Sequence, residues 1–234
     1  MKKALWIILA IIILLVLVAG YFGLFPGLSD VMGANKAKDL GVKYTEQDLQ
    51  TGREMTGVIL EDSTAEDKSL AFSGEKDISG VYTNAVMTAM INSAKYKYYP
   101  LSNAQIRVNP DGTVESSGNF NIEKAIKWSE DLGGSADLSN KALSYTKYVS
   151  SNPSFYLKGQ ISMTDNQFDL NITQARISRF NAPASVIEQY QGDLANFVEQ
   201  RMSNVPGLNV KSAVFSNGAL KLDATYPAVE KSGK

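Results

Sequence analysis

The sequence predicts an α+β protein: an N-terminal transmembrane helix, then one ectodomain in which a curved antiparallel sheet of three hairpins is packed by helices. Three observations carry this. An uncharged apolar run follows Lys2 and Lys3. Pairs of alternating apolar segments meet at Asn, Asp or Gly turns, and stripes of helical period lie between those pairs, with no βαβ rhythm and no glycine-rich phosphate turn. Of 234 residues, 44% are hydrophobic and 20% charged, which suits a packed domain. Lys+Arg 23 against Asp+Glu 24 leaves a net charge of -1, without the basic excess that nucleic-acid binding uses. With Cys 0 and His 0, disulfides, thiolate nucleophiles and imidazole bases are excluded, and a metal could find only oxygen ligands. No cofactor and no metal site is expected.

Residues 1–25 read as the anchor. From Ala4 to Phe25 there is no charge, and about 22 helical residues span roughly 33 Å. Lys2 and Lys3 in front of this run imply a cytoplasmic N-terminus and an extracytoplasmic C-terminal domain at the cell membrane. The competing reading is a signal peptide cut after the small residues Ala19 and Gly20. Continuation of the run through Tyr21, Phe22, Leu24 and Phe25 favours retention. Residues 26–44, rich in Gly and Ser, read as a stalk. Residues 45–78 read as a helix capped by the Thr45 and Asp48 pair, then a polar loop from Glu61 to Lys76.

The ectodomain proper is expected over 79–226. Val81, Ala85, Met87, Ala89, Met90 and Ile91 predict a helix from Ser79 to Ala94. Ala104 to Val108 and Thr113 to Phe120 form the first hairpin, around Asn109 to Gly112. Ile122 to Ile126 and Leu138 to Val149 predict helices on either side of Gly133 and Gly134. Phe155 to Met163 and Phe168 to Ile172 form the second hairpin, turning at Asp165 and Asn166. Pro183 opens a long helix whose stripe of Val186, Ile187, Tyr190, Leu194, Phe197, Val198 and Met202 reads as core. The third hairpin turns at Asn217 and Gly218, and residues 227–234 read as a polar tail.

Catalytic patterns are sparse. Ser144 and Lys147 have the S-x-x-K spacing of penicillin-binding proteins, and Lys231, Ser232 and Gly233 mimic their K-[ST]-G triad. A chain this rich in Ser and Lys holds about two such spacings by chance, so a non-enzymatic protein is expected. Asn109, Asp111, Thr113 and Glu115 alternate as calcium ligands do, yet the twelfth-position glutamate is missing and hairpin chemistry explains them. Tyr96, Tyr98 and Tyr99, interleaved with Lys95 and Lys97, are the candidate contacts for a ligand or partner, with half-buried strand packing as the plainer reading. The functional expectation is a tethered binding module for a lipid or envelope polymer. The alternative is an assembly partner of another envelope protein.

The helix ending near Ala94, the strand from Val114 to Gly118 after Pro110, Asp111 and Gly112, the Phe155 to Gly159 strand, and Ala182 and Pro183 leading into a helix together resemble the YpmS-like membrane-anchored extracytoplasmic proteins. More distantly, a long helix beside a curved sheet is similar to AsmA-like and tubular lipid-binding domains. That resemblance implies a lipid-binding fold.

Overall fold

The structure, a computed structural model, describes residues 2–23, 27–62, 70–131 and 152–232. The predicted hairpins build most of its sheet. β4 (Leu101–Val108) and β5 (Val114–Phe120) join across the Asn109 to Gly112 turn. β6 (Ser154–Thr164) and β7 (Gln167–Ile177) turn at Asp165 and Asn166, both of positive φ, and β9 (Asn209–Ser216) and β10 (Ala219–Tyr226) turn at Asn217 and Gly218 in the same way. With β3 (Lys76–Thr83) and the short β8 (Phe180–Asn181), the sheet runs β3-β10-β9-β6-β5-β4, and β7 lies on the other side of β6.

The long strand β6 explains the curvature. One edge pairs with β7 along its length. The other is shared: Ser154 to Gly159 pair with β5, and Ser162 to Thr164 pair with β9. β5 and β9 therefore diverge, and the sheet curls into a half-barrel. Helix α4 (Asn84–Asn92) leaves β3 and lies along β4, the opposite end strand, across the open side. Val86 and Met87 then bury against Ile78, Tyr82, Val108, Val114, Met163, Leu222 and Ala224.

Two strand edges of the sheet, those of β4 and β7, are covered by helix side chains. Asn84, Thr88 and Asn92, four residues apart on α4, bond the backbone of Val108, Ile106 and Ala104 in turn. On the far side, helix α6 (Ala184–Ser203) crosses β7, where Gln191 Oε1 accepts from Ile172 N and Glu199 Oε1 from Phe168 N.

Several expectations are corrected. Helix α1 (Lys2–Phe22) forms, but among the described residues no helix is long and apolar enough to cross a membrane. This overturns the expected transmembrane anchor over 4–25, its signal-anchor orientation and the extracytoplasmic location at the cell membrane.

The stalk is docked chain. Helix α2 (Leu28–Val31) is followed by a turn, in which Ala34 is buried, and an irregular segment, in which Leu40 is buried. Gln105 Oε1 accepts from Leu40 N at 2.7 Å, Arg107 donates to Leu40 O at 3.0 Å, and Asn119 donates to Asn35 O at 2.7 Å. Ser79 to Thr83 belong to strand β3, because β10 pairs with them and Ile78 and Tyr82 bury alternately; the helix starts only where the Thr83 side chain accepts from Val86 N.

The polar loop and the polar tail pair with each other. β1 (Ile59–Asp62) and β2 (Leu70–Ser73) flank β11 (Val229–Ser232) in a second, three-stranded sheet. Its β1–β11 pairing is parallel, with Glu61 and Lys231 in register and 2.9 Å apart. Helix α5 (Ile122–Asp131) forms, and the expected Leu138 to Val149 helix lies outside the described residues. On α6, Ile187, Val198 and Met202 are half-buried, whereas Val186, Tyr190 and Leu194 are exposed, so the predicted core stripe is divided between two faces.

Candidate functional site

Between the two sheets the chain leaves a cavity of about 360 Å³. Its first wall is helix α3 (Glu46–Thr56), which starts where the sequence requires: Thr45 and Asp48 form the reciprocal cap, with Asp48 Oδ2 accepting from Thr45 N at 2.8 Å. Gly57, at φ 56°, ends it in the left-handed conformation that favours glycine. Leu49, Arg53 and Thr56, at i, i+4 and i+7, share one face of α3 and line the cavity.

The second wall is α4 and the chain after it, through Met90, Ser93, Ala94 and Lys95. α3 and α4 approach closely because Gly52 has no side chain; a Cβ there would lie 2.6 Å from Met90 Sδ and 3.1 Å from Val86 Cγ1. The small sheet supplies Leu60, Phe72 and Glu230, and Val205, Leu208 and Tyr226 complete the floor. The lining is thus apolar over most of its area and carries five charged side chains, Arg53, Glu61, Asp62, Lys95 and Glu230, at its walls.

Two charged side chains in these walls lack ordinary compensation. The Nε of Arg53 is buried and has no hydrogen-bond partner among the described residues. The carboxyl of Glu230 on β11 is half-buried, and desolvation pushes its pKa upward with no opposing charge contributing. Desolvation also raises Tyr226. Of the other two acids on the small sheet, Glu61 is held by Lys231 and Asp62 also lines the cavity.

The sequence-predicted residues fall elsewhere. Tyr96, Tyr98 and Tyr99 lie in the loop after α4 rather than in a strand. Tyr96 is buried and donates its hydroxyl to Asp131 on α5, Tyr98 sets its ring edge-on to Tyr96 at 5.8 Å, and burial raises the Tyr99 hydroxyl to about 12. They tie the loop to α5, and among these neighbours only Lys95 reaches the cavity. Ser144 and Lys147 lie outside the described residues, while Lys231 and Ser232 are strand residues paired with β1 and β2.

The Asn109 to Glu115 segment works as a turn. Asp111 Oδ1 accepts from Thr113 N at 2.9 Å, and Glu115 takes both oxygens to Arg107 at 2.9 Å. Burial works to raise the Glu115 carboxyl, but hydrogen bonds from Arg107 and Asn109, with the charges of Arg107 and Lys38, outweigh it and leave the pKa lowered.

The cavity residues were not singled out by their sequence. Arg53 stands among ordinary polar helix residues, and Glu230 in a stretch without an apolar pattern. The only signal was Leu49, Arg53 and Thr56 on one helical face. No family model matches the chain, and no characterised protein or solved structure is significantly similar to it.

Proposed function

We propose that this protein is a non-enzymatic binding module, and that the cavity between α3, α4 and the small sheet holds the apolar chain of a lipid. The observation that carries this reading is the cavity itself: Leu49, Leu60, Phe72, Met90, Val205 and Leu208 surround about 360 Å³ of space. That volume lies within the range of small-molecule sites, about 300–1,000 Å³. Withdrawing apolar ligand surface from water there is favourable by about 25 cal/mol per Å². An aliphatic lining suits a lipid better than a hydrophilic polymer.

The test is uptake of the neutral fluorophore N-phenyl-1-naphthylamine by the full chain, compared with Ala94→Trp, which places an indole in the cavity wall. Saturable uptake with one site, lost in Ala94→Trp while the fold is retained by circular dichroism, supports the reading. Absence of saturable uptake, or uptake indifferent to Ala94→Trp, overturns it.

A second reading, docking onto another protein, is favoured by Val186, Tyr190 and Leu194, which form an exposed apolar line on α6. A photocrosslinker at position 190 that captures one defined protein in cells, where one at Val81 on β3 does not, supports docking. Equal or no capture at the two positions counts against it.

A further inference from the structure

We infer that the ligand is an anionic amphiphile, a carboxylate or phosphate head on an apolar chain, and that Arg53 binds the head. This rests on the preceding reading that the cavity holds an apolar chain. A guanidinium stays charged at every physiological pH and carries five N–H donors. Burying one of those donors without an acceptor is unfavourable, and Arg53, a residue of the cavity lining, has its Nε in that state.

Glu61 and Asp62 share the cavity lining with Arg53, and neither forms an ion pair with it among the described residues. Glu61 is engaged by Lys231 at 2.9 Å. Glu230 lines the same cavity, yet no ion pair joins it to Arg53 among the described residues. Lys95 adds a second positive charge to the lining. Leu49, one turn from Arg53 on the same face of α3, supplies apolar surface beside the guanidinium, so one helical face offers a contact for the head and a contact for the chain. A carboxylate or phosphate matches the guanidinium fork, which a hydroxyl does not.

The experiment displaces the neutral fluorophore from the full chain with dodecanoate, dodecyl phosphate and dodecanol at one ionic strength, for wild type, Arg53→Gln and Arg53→Lys. The expected result is a preference of about tenfold or more for at least one anion over the alcohol in wild type, from a charge-assisted hydrogen bond. Arg53→Gln brings anion and alcohol together by weakening the anion alone, and Arg53→Lys keeps part of the preference. Which anion binds tighter separates a carboxylate from a phosphate source.

Equal affinities for anions and alcohol in wild type, or a preference that survives Arg53→Gln, overturns the inference while the apolar-chain reading stands. Failure of the fluorophore and all three ligands to bind overturns both. If Arg53→Gln does not fold, the wild-type preference together with its reduction in Arg53→Lys supports the inference, and an undiminished preference in Arg53→Lys overturns the role of Arg53.

Discussion

Asn92 on α4 answers both backbone groups of Ala104 on β4: its Nδ2 donates to Ala104 O at 2.8 Å and its Oδ1 accepts from Ala104 N at 3.0 Å. Asn84 does the same for Val108, with Val108 N donating at 2.8 Å, and Thr88 serves Ile106 between them. The match is metrical. Four helical residues rise about 6 Å, and two strand residues advance about 6.6 Å, so side chains at i, i+4 and i+8 meet alternate residues of the strand. The helix thereby replaces a neighbouring strand at the sheet edge.

Replacing Asn92 by Leu leaves the buried Ala104 N–H and C=O without these partners. The expected cost is about 2 kcal/mol in denaturant unfolding, the penalty for unsatisfied backbone groups in a partly dry site. A change below about 0.5 kcal/mol, the range of neutral surface substitutions, would mean that water satisfies the edge equally well.

At the β7 edge, Glu199→Leu removes the acceptor for Phe168 N, bonded at 2.6 Å. Expected are a stability loss of about 1 kcal/mol and increased self-association through the uncovered β7 edge, read by analytical ultracentrifugation.

The Glu115 pair sets a pH dependence. Its carboxyl pKa is lowered in the folded protein from a reference of 4.5, so its stabilisation is complete above that reference and is lost as pH falls through the folded value. Glu115→Gln should therefore flatten the acid limb of the stability curve. Arg107→Leu should cost about 2 kcal/mol at pH 7, less than the 3–5 of a wholly buried pair, because the Arg107 side chain is 38% exposed.

Glu230 carries the opposite sign. Its pKa is raised, so ionisation opposes folding once pH climbs past the reference of 4.5 towards the folded value. Glu230→Gln is expected to unfold at a higher temperature than wild type at pH 7, with the difference vanishing below about pH 4. A variant less stable at pH 7 would show that the carboxylate has a partner in solution.

Two glycines separate local from tertiary constraint. A Cβ at Gly159 would lie 2.3 Å from Asn171 O, backbone of the paired strand, and 3.0 Å from Ile172 Cα, so Gly159→Ala should destabilise by more than about 2 kcal/mol. Gly192, on α6, has open space around its Cβ position. Gly192→Ala should stabilise by about 0.5–1 kcal/mol through helix propensity. Thermal unfolding of both variants reads the contrast.

Features whose energies are settled within a few residues are legible in the chain alone. Asn217 and Gly218 adopt positive φ wherever the chain lies, so the hairpin of β9 and β10 was legible, as were the Thr45 and Asp48 cap and the helix opened by Pro183. The rest depends on contacts between distant segments. The strand fate of Ser79 to Thr83 depends on β10, whose alignment with them sets the side that buries Ile78 and Tyr82. β1 and β11 are short, carry charges and pair in parallel, so neither has an alternating apolar face to announce it. The cavity follows from that pairing: Arg53 and Glu230 become its charged wall only when the two ends of the domain meet. A local pattern records turns and caps because their energies are local; burial and desolvation arise from distant segments and leave no periodic trace.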